Sequence, residues 1–187
     1  SMRLRLFSLD RALRDDPRTK DDLAVVNEET LRLDHIIRNF LEFSRSPKLQ
    51  TMGCKVSDLI DQCVELLRHD LEKHRITLEI HVPADLPDIY GDLQQLKQVL
   101  INLVNNAVEA IGNNGWIRLT ASQEDYAQGE RMVVLRVQDS GTGIPESVRE
   151  KIFQPFTTTK ESGTGLGLST AKQIMTLHGG VLILEST

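Results

Sequence analysis

The sequence has no long apolar run, little cysteine and no excess of basic side chains. No stretch of its 187 residues approaches the roughly 18 to 20 apolar residues that a membrane-spanning helix needs. Its 22 Lys and Arg stand against 27 Asp and Glu, a formal charge of −5, and neither half has the basic footprint of a nucleic-acid-binding protein. Cys54 and Cys63 are too few for a disulfide framework and lack metal-ligand spacing, which favours a reducing, cytoplasmic location.

The first 46 residues predict a helical hairpin. Apolar side chains recur at three- and four-residue steps on both sides of the string DDPRTKDD, where Asp-Pro disfavours continuation of a helix. The seam of the second helix consists of Leu23, Val26, Thr30, Leu33, Ile37 and Phe40. Two such helices bury their seams most simply against a second copy of the chain, so the segment predicts a homodimeric four-helix bundle. The alternative is that both helices pack on the rest of their own chain.

Ser46 and Pro47 end the hairpin, and residues 47–54 predict a linker or a short entry strand before a second domain at 55–187. The pattern in that domain predicts helices at about 58–72, 92–111 and from near Leu166 to His178, and strands at 75–82, 116–124, 131–138 and in the final VLILE. Helices interleaved with a mostly antiparallel sheet indicate a two-layer α/β sandwich.

A polar stripe crosses the otherwise apolar helix QVLINLVNNAVEA. Asn102, Asn106 and Glu109 follow at four- and three-residue spacing and therefore share one face. Buried amides cost free energy unless they are hydrogen-bonded or coordinated, so these side chains need partners. The partners are either a ligand or the neighbouring strands.

Two glycine-rich strings follow the predicted strands. In DSGTGIP, Asp139 stands at a strand end where its carboxylate could accept a hydrogen bond from an exocyclic amine, and Gly141 and Gly143 allow sharp turning or close approach. An Asp-Ser-Gly turn is also ordinary loop chemistry. In GTGLGLS, glycines at every second position leave amide N–H groups free just before a helix N-terminus, which makes an anion site suited to a polyphosphate.

The ordered set NLVNNAVEA, DSGTGIP, FQPF and GTGLGLS resembles the N, G1, F and G2 boxes of the GHKL ATP-binding superfamily, most closely the sensor histidine kinases of two-component signalling. The hairpin, with RLDHIIRNFLEFSR, looks like the second half of a dimerisation and histidine-phosphotransfer domain. The resemblance implies a mixed five-stranded sheet and three helices, with ATP held between the long helix and a flexible lid.

The resemblance also implies roles for single residues. Asp139 would bind the adenine amine, and Gly141 and Gly143 would shape the floor of the adenine pocket. Asn106 would be the Mg²⁺ ligand, with Asn102 a second polar contact near the phosphates. The residues assigned to the phosphates and the lid are Lys160, Gly163, Thr164, Gly165, Leu166 and Gly167, and Phe153 and Phe156 would hold the lid hinge.

Asn102 favours a kinase over an ATPase. In the related GHKL ATPases a Glu four residues before the metal-binding Asn activates water, and an amide cannot act as a general base. Asn102 and Lys160 are therefore expected to serve transfer of the γ-phosphoryl group to a histidine, and from it to an aspartate of a response regulator. The alternatives are a GHKL ATPase that hydrolyses ATP and a non-catalytic dimerising scaffold.

One motif of the resemblance is missing. None of the five histidines has the H-box context of a His followed by an acidic residue and soon by Asn-Pro, and His35 falls on the solvated face of its helix. The acceptor is therefore expected upstream of Ser1, as is any segment that contacts the inner membrane, and the fragment is expected not to phosphorylate itself. His178, at a helix end, is expected to be structural.

Overall fold

The computed structural model describes Leu23, Val25, Val26, Thr30, residues 49–126 and 129–158, Lys160 and residues 163–185. The chain divides into two compact units, one made of residues 1–46 and 159–164 and the other of residues 47–158 and 165–187. In the described part of the chain, no helix is both long enough and apolar enough to cross a membrane.

Little of the first unit falls within the described residues. Leu23, Val25, Val26 and Thr30 are helical, and the Thr30 hydroxyl donates to the Val26 carbonyl at 2.7 Å. The rest of the predicted hairpin, including His35, lies outside the described residues. The hairpin and the dimeric bundle therefore stay predictions.

The second unit alternates strands and helices. Its elements are β1 (Met52–Cys54), α1 (Val56–Lys73), β2 (Ile76–His81), β3 (Ile89–Gly91), α2 (Leu93–Ile111), β4 (Gly115–Asp125), β5 (Arg131–Asp139), α3 (Glu146–Arg149) and α4 (Gly167–Leu177). The three longer helices and β2, β4 and β5 confirm the sequence prediction to within two residues at each end. The sequence pattern missed β3, inside the Pro-rich connection, and α3, inside the glycine-rich loop region.

The predicted last strand is wrong for the described residues 181–185, which form no strand. Leu182 packs against the cluster that α2 and α4 form through Val99, Ala171 and Ile174, while Ile183 is 66% exposed. The side chains of this segment therefore alternate between inward and outward positions, as the sequence pattern predicted. The segment packs against helices, however, and does not pair with a strand of the described chain.

The sheet is mixed but smaller than the resemblance implied. β4 lies between β2, to which it is parallel, and β5, to which it is antiparallel, with Ile117 opposite both Leu78 and Asp139. In the described chain β1 and β3 form a separate antiparallel pair rather than extending this sheet. The expectation of one five-stranded sheet is thus corrected to three strands plus two.

The core lies between one face of the three-stranded sheet and the helices α1 and α2. Alternate residues of β4, Ile117, Leu119 and Ala121, are at most 5% exposed, as expected for a strand with one covered face. The residues that α1 and α2 bring into this core are Val56, Leu59, Ile60, Cys63, Leu67, Leu71, Leu100, Val104, Ala107 and Val108. Burial raises the pKa of the Cys63 thiol to about 11, which keeps it protonated and unreactive.

The opposite face of the sheet is polar. Arg118 binds Glu79 of the neighbouring strand at 2.7 Å and lies 4.8 Å from the centre of the Trp116 ring. Arg136 pairs with Glu124, and this hydrogen bond holds the pKa of the Glu124 carboxyl at about 2. Because these side chains are partly exposed to solvent, the pairs contribute little to stability.

Asp92 begins the long helix α2. Its carboxylate accepts hydrogen bonds from the backbone N–H of Gln94 and Gln95, the usual role of an N-cap residue, and from that of Gln50 ahead of β1. Burial raises the pKa of this carboxyl, but the three backbone N–H groups, together with His178 nearby, outweigh it and leave the pKa below its ordinary value.

We expect Asp92→Ala to lower the free energy of unfolding at pH 7 by about 1 kcal/mol, the usual cost of losing an N-cap. A carboxyl whose folded pKa is depressed stabilises the protein above its unfolded pKa, and this contribution is lost as the pH falls through the folded pKa. The difference between the two proteins should therefore narrow below pH of about 4. Urea unfolding at pH 7 and pH 3 measures it, and an equal difference at both values would contradict the assignment.

Candidate functional site

The polar stripe of α2 faces the beginning of α4. The Asn102 Nδ2 group donates to the carbonyl oxygen of Gly167 at 3.1 Å, and its Oδ1 accepts from Gln98 Nε2 at 3.3 Å. Asn106, one turn further along, has an Nδ2 atom that is buried without a hydrogen-bond partner in the described structure. A Cβ atom on Gly167 would lie 3.8 Å from that nitrogen. The structure therefore brings Asn102, Asn106 and Gly167 together, while Glu109 is exposed at the end of the stripe.

Asn106 is the informative member of this group. A buried polar atom without a partner costs roughly 1 to 3 kcal/mol, so such an atom calls for an explanation, and a bound water, ion or ligand is one. The first turn of α4 presents backbone N–H groups and the positive end of the helix dipole at the same place. An anion with a bound cation could therefore interact both with the Asn106 amide and with the first turn of α4.

Asp139 ends β5 close to the C-terminal part of the same helix. Its Oδ1 atom accepts a hydrogen bond from the Gly141 N–H at 2.8 Å, which orients the carboxylate, and the residue is exposed. A Cβ atom on Gly141 would lie 2.8 Å from the carbonyl carbon of Ala110 in α2, so only glycine lets the loop approach the helix this closely. The contact places Asp139 one helical turn beyond Asn106.

Gly143 is exposed and open. Its φ angle of +73° lies in the left-handed region, and nothing stands within 4 Å of the position a Cβ atom would take. The loop beyond it enters α3, where Arg149 Nε donates to the Ile144 carbonyl at 3.2 Å. Gly143 is thus required for the turn rather than for close packing.

The entry to α4 is a tight loop. Gly165 has a φ angle of +65°, and a Cβ atom there would lie 2.5 Å from the carbonyl carbon of Phe156 and 2.6 Å from the Thr157 nitrogen. The Leu166 side chain is fully buried, and its carbonyl accepts from the Ser169 hydroxyl at 2.9 Å. Any contact of Leu166 with a ligand must therefore be through its backbone.

Lys160, Gly163 and Thr164 belong to the first unit, within which the Gly163 N–H donates to the Lys160 carbonyl at 3.3 Å. Their assigned roles at the phosphates stay predictions. In the second unit, Phe153 is half-buried and Phe156 is 65% exposed with a φ angle of +64°. The two aromatic residues that the resemblance assigned to one hinge therefore sit in different surroundings.

Residues 91–187, just over half of the chain, match the family described as "Histidine kinase-, DNA gyrase B-, and HSP90-like ATPase". The chain belongs to this family. Its curated relatives include "Sensor histidine kinase ZraS" of Escherichia coli O157:H7, which is 36% identical over 162 residues. The match covers 87% of this chain and 34% of ZraS, so the chain spans about a third of the length of that relative.

Solved histidine kinases share the fold. The structure of ThkA in complex with response regulator protein TrrA is 34% identical, with a TM-score of 0.71, and covers 94% of this chain and 49% of that one. Full-length ShkA in complex with AMPPNP is 27% identical, with a TM-score of 0.72, and covers 88% of this chain and 35% of that one. The fold of this chain is thus that of a GHKL histidine kinase, with a mixed sheet and helices.

The sequence interpretation missed three residues that support the candidate site of this chain. Asp92 caps α2, and Gln98 fixes the Asn102 amide. Lys172 of α4 lies with its Nζ atom 5.2 Å from the centre of the Phe153 ring, a cation–π contact that joins α4 to the FQPF string. The spacing of Gln98 and Asn102, four residues apart on a helix, was a usable signal for that pair, whereas the Lys172 contact is long-range.

The donor set around Asn106 fits a magnesium ion better than a transition metal. Among the described residues no group of three or more His, Cys, Asp or Glu side chains could hold a metal. Mg²⁺ prefers oxygen ligands and usually binds through one or two side chains together with phosphates and water. The Asn106 side-chain oxygen would be one such ligand.

Proposed function

We propose that this chain binds Mg²⁺·ATP and donates the γ-phosphoryl group to a histidine, as the catalytic region of a sensor histidine kinase. The observation that carries the proposal is the buried Asn106 Nδ2 group, which has no hydrogen-bond partner among the described residues and lies beside the first turn of α4. A polyphosphate at the helix N-terminus would supply acceptor oxygens for this group and for the backbone N–H groups of that turn, and a cation on the phosphates would bind the Asn106 side-chain oxygen. The AMPPNP bound by ShkA supports a nucleotide as that ligand.

In this proposal the adenine ring lies on the Asp139 side. The carboxylate, oriented by the Gly141 N–H, accepts a hydrogen bond from the exocyclic amine of adenine. Gly141 and Gly143 keep side chains out of the pocket floor. Asn106, Asn102 and the backbone N–H groups of residues 165–167 hold the triphosphate end, and the phosphate roles of Lys160, Gly163 and Thr164 are carried over from the family resemblance. The cation neutralises charge on the phosphates when it is bound, and the chain positions the γ-phosphoryl group.

Asn102 supports a kinase rather than an ATPase. Both polar atoms of its amide are engaged, one by Gly167 and the other by Gln98, and an amide does not accept the proton of an attacking water. Water attack should therefore be slow and the phosphoryl group kept for a histidine. Of the two alternatives, an ATPase predicts sustained phosphate release by the chain alone, and a scaffold predicts no nucleotide binding.

The acceptor histidine belongs outside residues 1–187 in this proposal, because none of the five histidines has an H-box context. The chain should then bind ATP without phosphorylating itself. Residues 1–46 are proposed to form the homodimeric helical bundle, and a response-regulator receiver domain to be the second acceptor, as the complex of ThkA with TrrA suggests. We place this region in the cytoplasm, where such a regulator would be met.

Calorimetric titration of this chain with ATP, with and without Mg²⁺, tests the proposal. We expect micromolar, Mg²⁺-dependent binding, no phosphohistidine on the chain and little phosphate release over an hour. Release that continues through many turnovers would favour the ATPase. Absence of binding in both titrations would overturn the nucleotide site and leave the scaffold.

A further inference from the structure

His178 stands at the far end of α4 from the proposed phosphate site. Its Nδ1 atom lies 2.8 Å from the Ile174 carbonyl of its own helix, and its Nε2 atom lies 2.9 Å from the backbone nitrogen of Asp92. A carbonyl can only accept, so Nδ1 carries the proton and Nε2 is left to accept the Asp92 N–H. One ring thus joins the end of α4 to the start of α2.

The ring occupies a space that the chain keeps clear. A Cβ atom on Gly91 would lie 2.9 Å from His178 Cδ2 and 3.3 Å from Nε2. Gly91 ends β3 and precedes the N-cap of α2, so the close approach of the ring requires the absence of a side chain there. The following glycine, Gly179, has a φ angle of +69° and turns the chain out of α4.

α4 therefore meets α2 at three levels. At its start Gly167 accepts from Asn102, in its middle Ala171 and Ile174 pack against Val99, and at its end His178 accepts from the Asp92 N–H. Apolar packing is non-directional and leaves a helix free to slide by fractions of an ångström, whereas hydrogen bonds are sensitive to distance and angle. The bonds at the two ends thus fix the position of α4 along α2.

We propose that His178 is a positioning residue for the phosphate end of the nucleotide site, because its bond to the Asp92 N–H holds the first turn of α4 in register with Asn102 and Asn106. The inference rests on the proposed function for its consequence in nucleotide binding. The structural part of the inference, that His178 sets the position of α4 along α2, does not require a ligand. Asp139 and Gly141 lie on β5 and the loop after it, and their position does not depend on α4.

The test uses His178→Ala, His178→Gln and Gly91→Ala in this chain, with Gly53→Ala as the matched control. Gln places its side-chain oxygen near the position of Nε2 and keeps an acceptor there. Gly91→Ala places a Cβ atom 2.9 Å from the ring and 2.8 Å from Leu96 Cδ1, so it crowds the ring without changing its chemistry and also presses on Leu96. Among the described residues nothing lies within 4 Å of a Cβ atom on Gly53, in the paired strand β1. Thermal unfolding of each variant identifies any that fail to fold.

Two measurements separate positioning from a general loss of stability. We expect His178→Ala and Gly91→Ala to bind Mg²⁺·AMPPNP about three- to tenfold more weakly, the usual worth of one hydrogen bond, with adenosine affinity unchanged. In His178→Gln at least half of the lost AMPPNP affinity should be restored, measured on a logarithmic scale. Gly53→Ala should bind AMPPNP as the wild type does. Amide hydrogen exchange in residues 168–171 should accelerate in the first two variants without any ligand.

The outcomes distinguish the two claims. If the wild type binds neither AMPPNP nor adenosine, the proposed function fails, and the exchange measurement alone decides whether His178 sets the register of α4. If AMPPNP affinity is unchanged in His178→Ala, or falls together with adenosine affinity by the same factor, His178 is not a positioning residue for the phosphate end.

Discussion

Replacing Asp139 by Asn should weaken Mg²⁺·ATP binding about tenfold to a hundredfold and leave the fold intact, since a hydrogen bond to a charged group is worth about 1.5 to 3 kcal/mol. The amide can keep the bond from the Gly141 N–H through its remaining oxygen. Its NH₂ group then takes the place of the second carboxylate oxygen, and a donor faces the adenine amine, itself a donor. Because Asp139 is exposed, the exchange removes no buried contact.

Calorimetry with Mg²⁺·ATP measures the effect, and Asp125→Asn supplies the matched control. Asp125 also ends a strand of the same sheet and is exposed, and its 3.6 Å ion pair with Arg131 contributes little. The control should bind ATP as the wild type does. Equal affinity of Asp139→Asn and Asp125→Asn would remove Asp139 from the adenine site.

The parts of the fold that the sequence predicted are those with strong local patterns. The stripe on α2 and the alternation in β4 each repeat over several turns or residues, so the element type follows from spacing alone. The three-residue strands β1 and β3 are too short to carry a period, and only their mutual pairing makes them strands. Residues 181–185 show the reverse case. Their side chains alternate as in a strand, but the segment packs against α2 and α4 and forms no strand.

The candidate site divides in the same way. Spacing correctly put Asn102 and Asn106 on one face, and the glycine-rich strings marked where the backbone turns. The pattern could not show that Asn102 would be held by Gly167 across 65 positions, or that His178 would reach Asp92 across 86. Such contacts depend on how α4 docks on α2, which no local window of sequence contains.

Leu166 illustrates a limit of transferring roles by motif. It lies within the string assigned to the phosphates, yet its side chain is fully buried. The glycines on either side place the backbone, and Leu166 anchors the loop in the core between them. A hydrophobic residue in such a glycine-rich loop is therefore better interpreted as a buried anchor of the loop than as a ligand contact.

Gly165→Ala should have the second large effect, lowering Mg²⁺·ATP affinity at least about tenfold, as expected when one or more hydrogen bonds to charged phosphate oxygens are lost. The left-handed φ of +65° disfavours any residue with a Cβ atom, by roughly 1 to 2 kcal/mol. The new Cβ would in addition lie 2.5 to 2.8 Å from backbone atoms of Phe156 and Thr157. Backbone cannot rotate away as a side chain can, so the loop before α4 must shift.

Gly129→Ala separates the clash from the backbone strain. Gly129 has a φ angle of +81° and lies in the turn between β4 and β5, and no atom of the described residues stands within 4 Å of the position of a Cβ atom there. Both variants should lose stability in thermal unfolding through the φ angle, but only Gly165→Ala should lose ATP affinity while keeping adenosine affinity. Equal ATP affinity of the two variants would show that the close packing of the loop against Phe156 is irrelevant to the site.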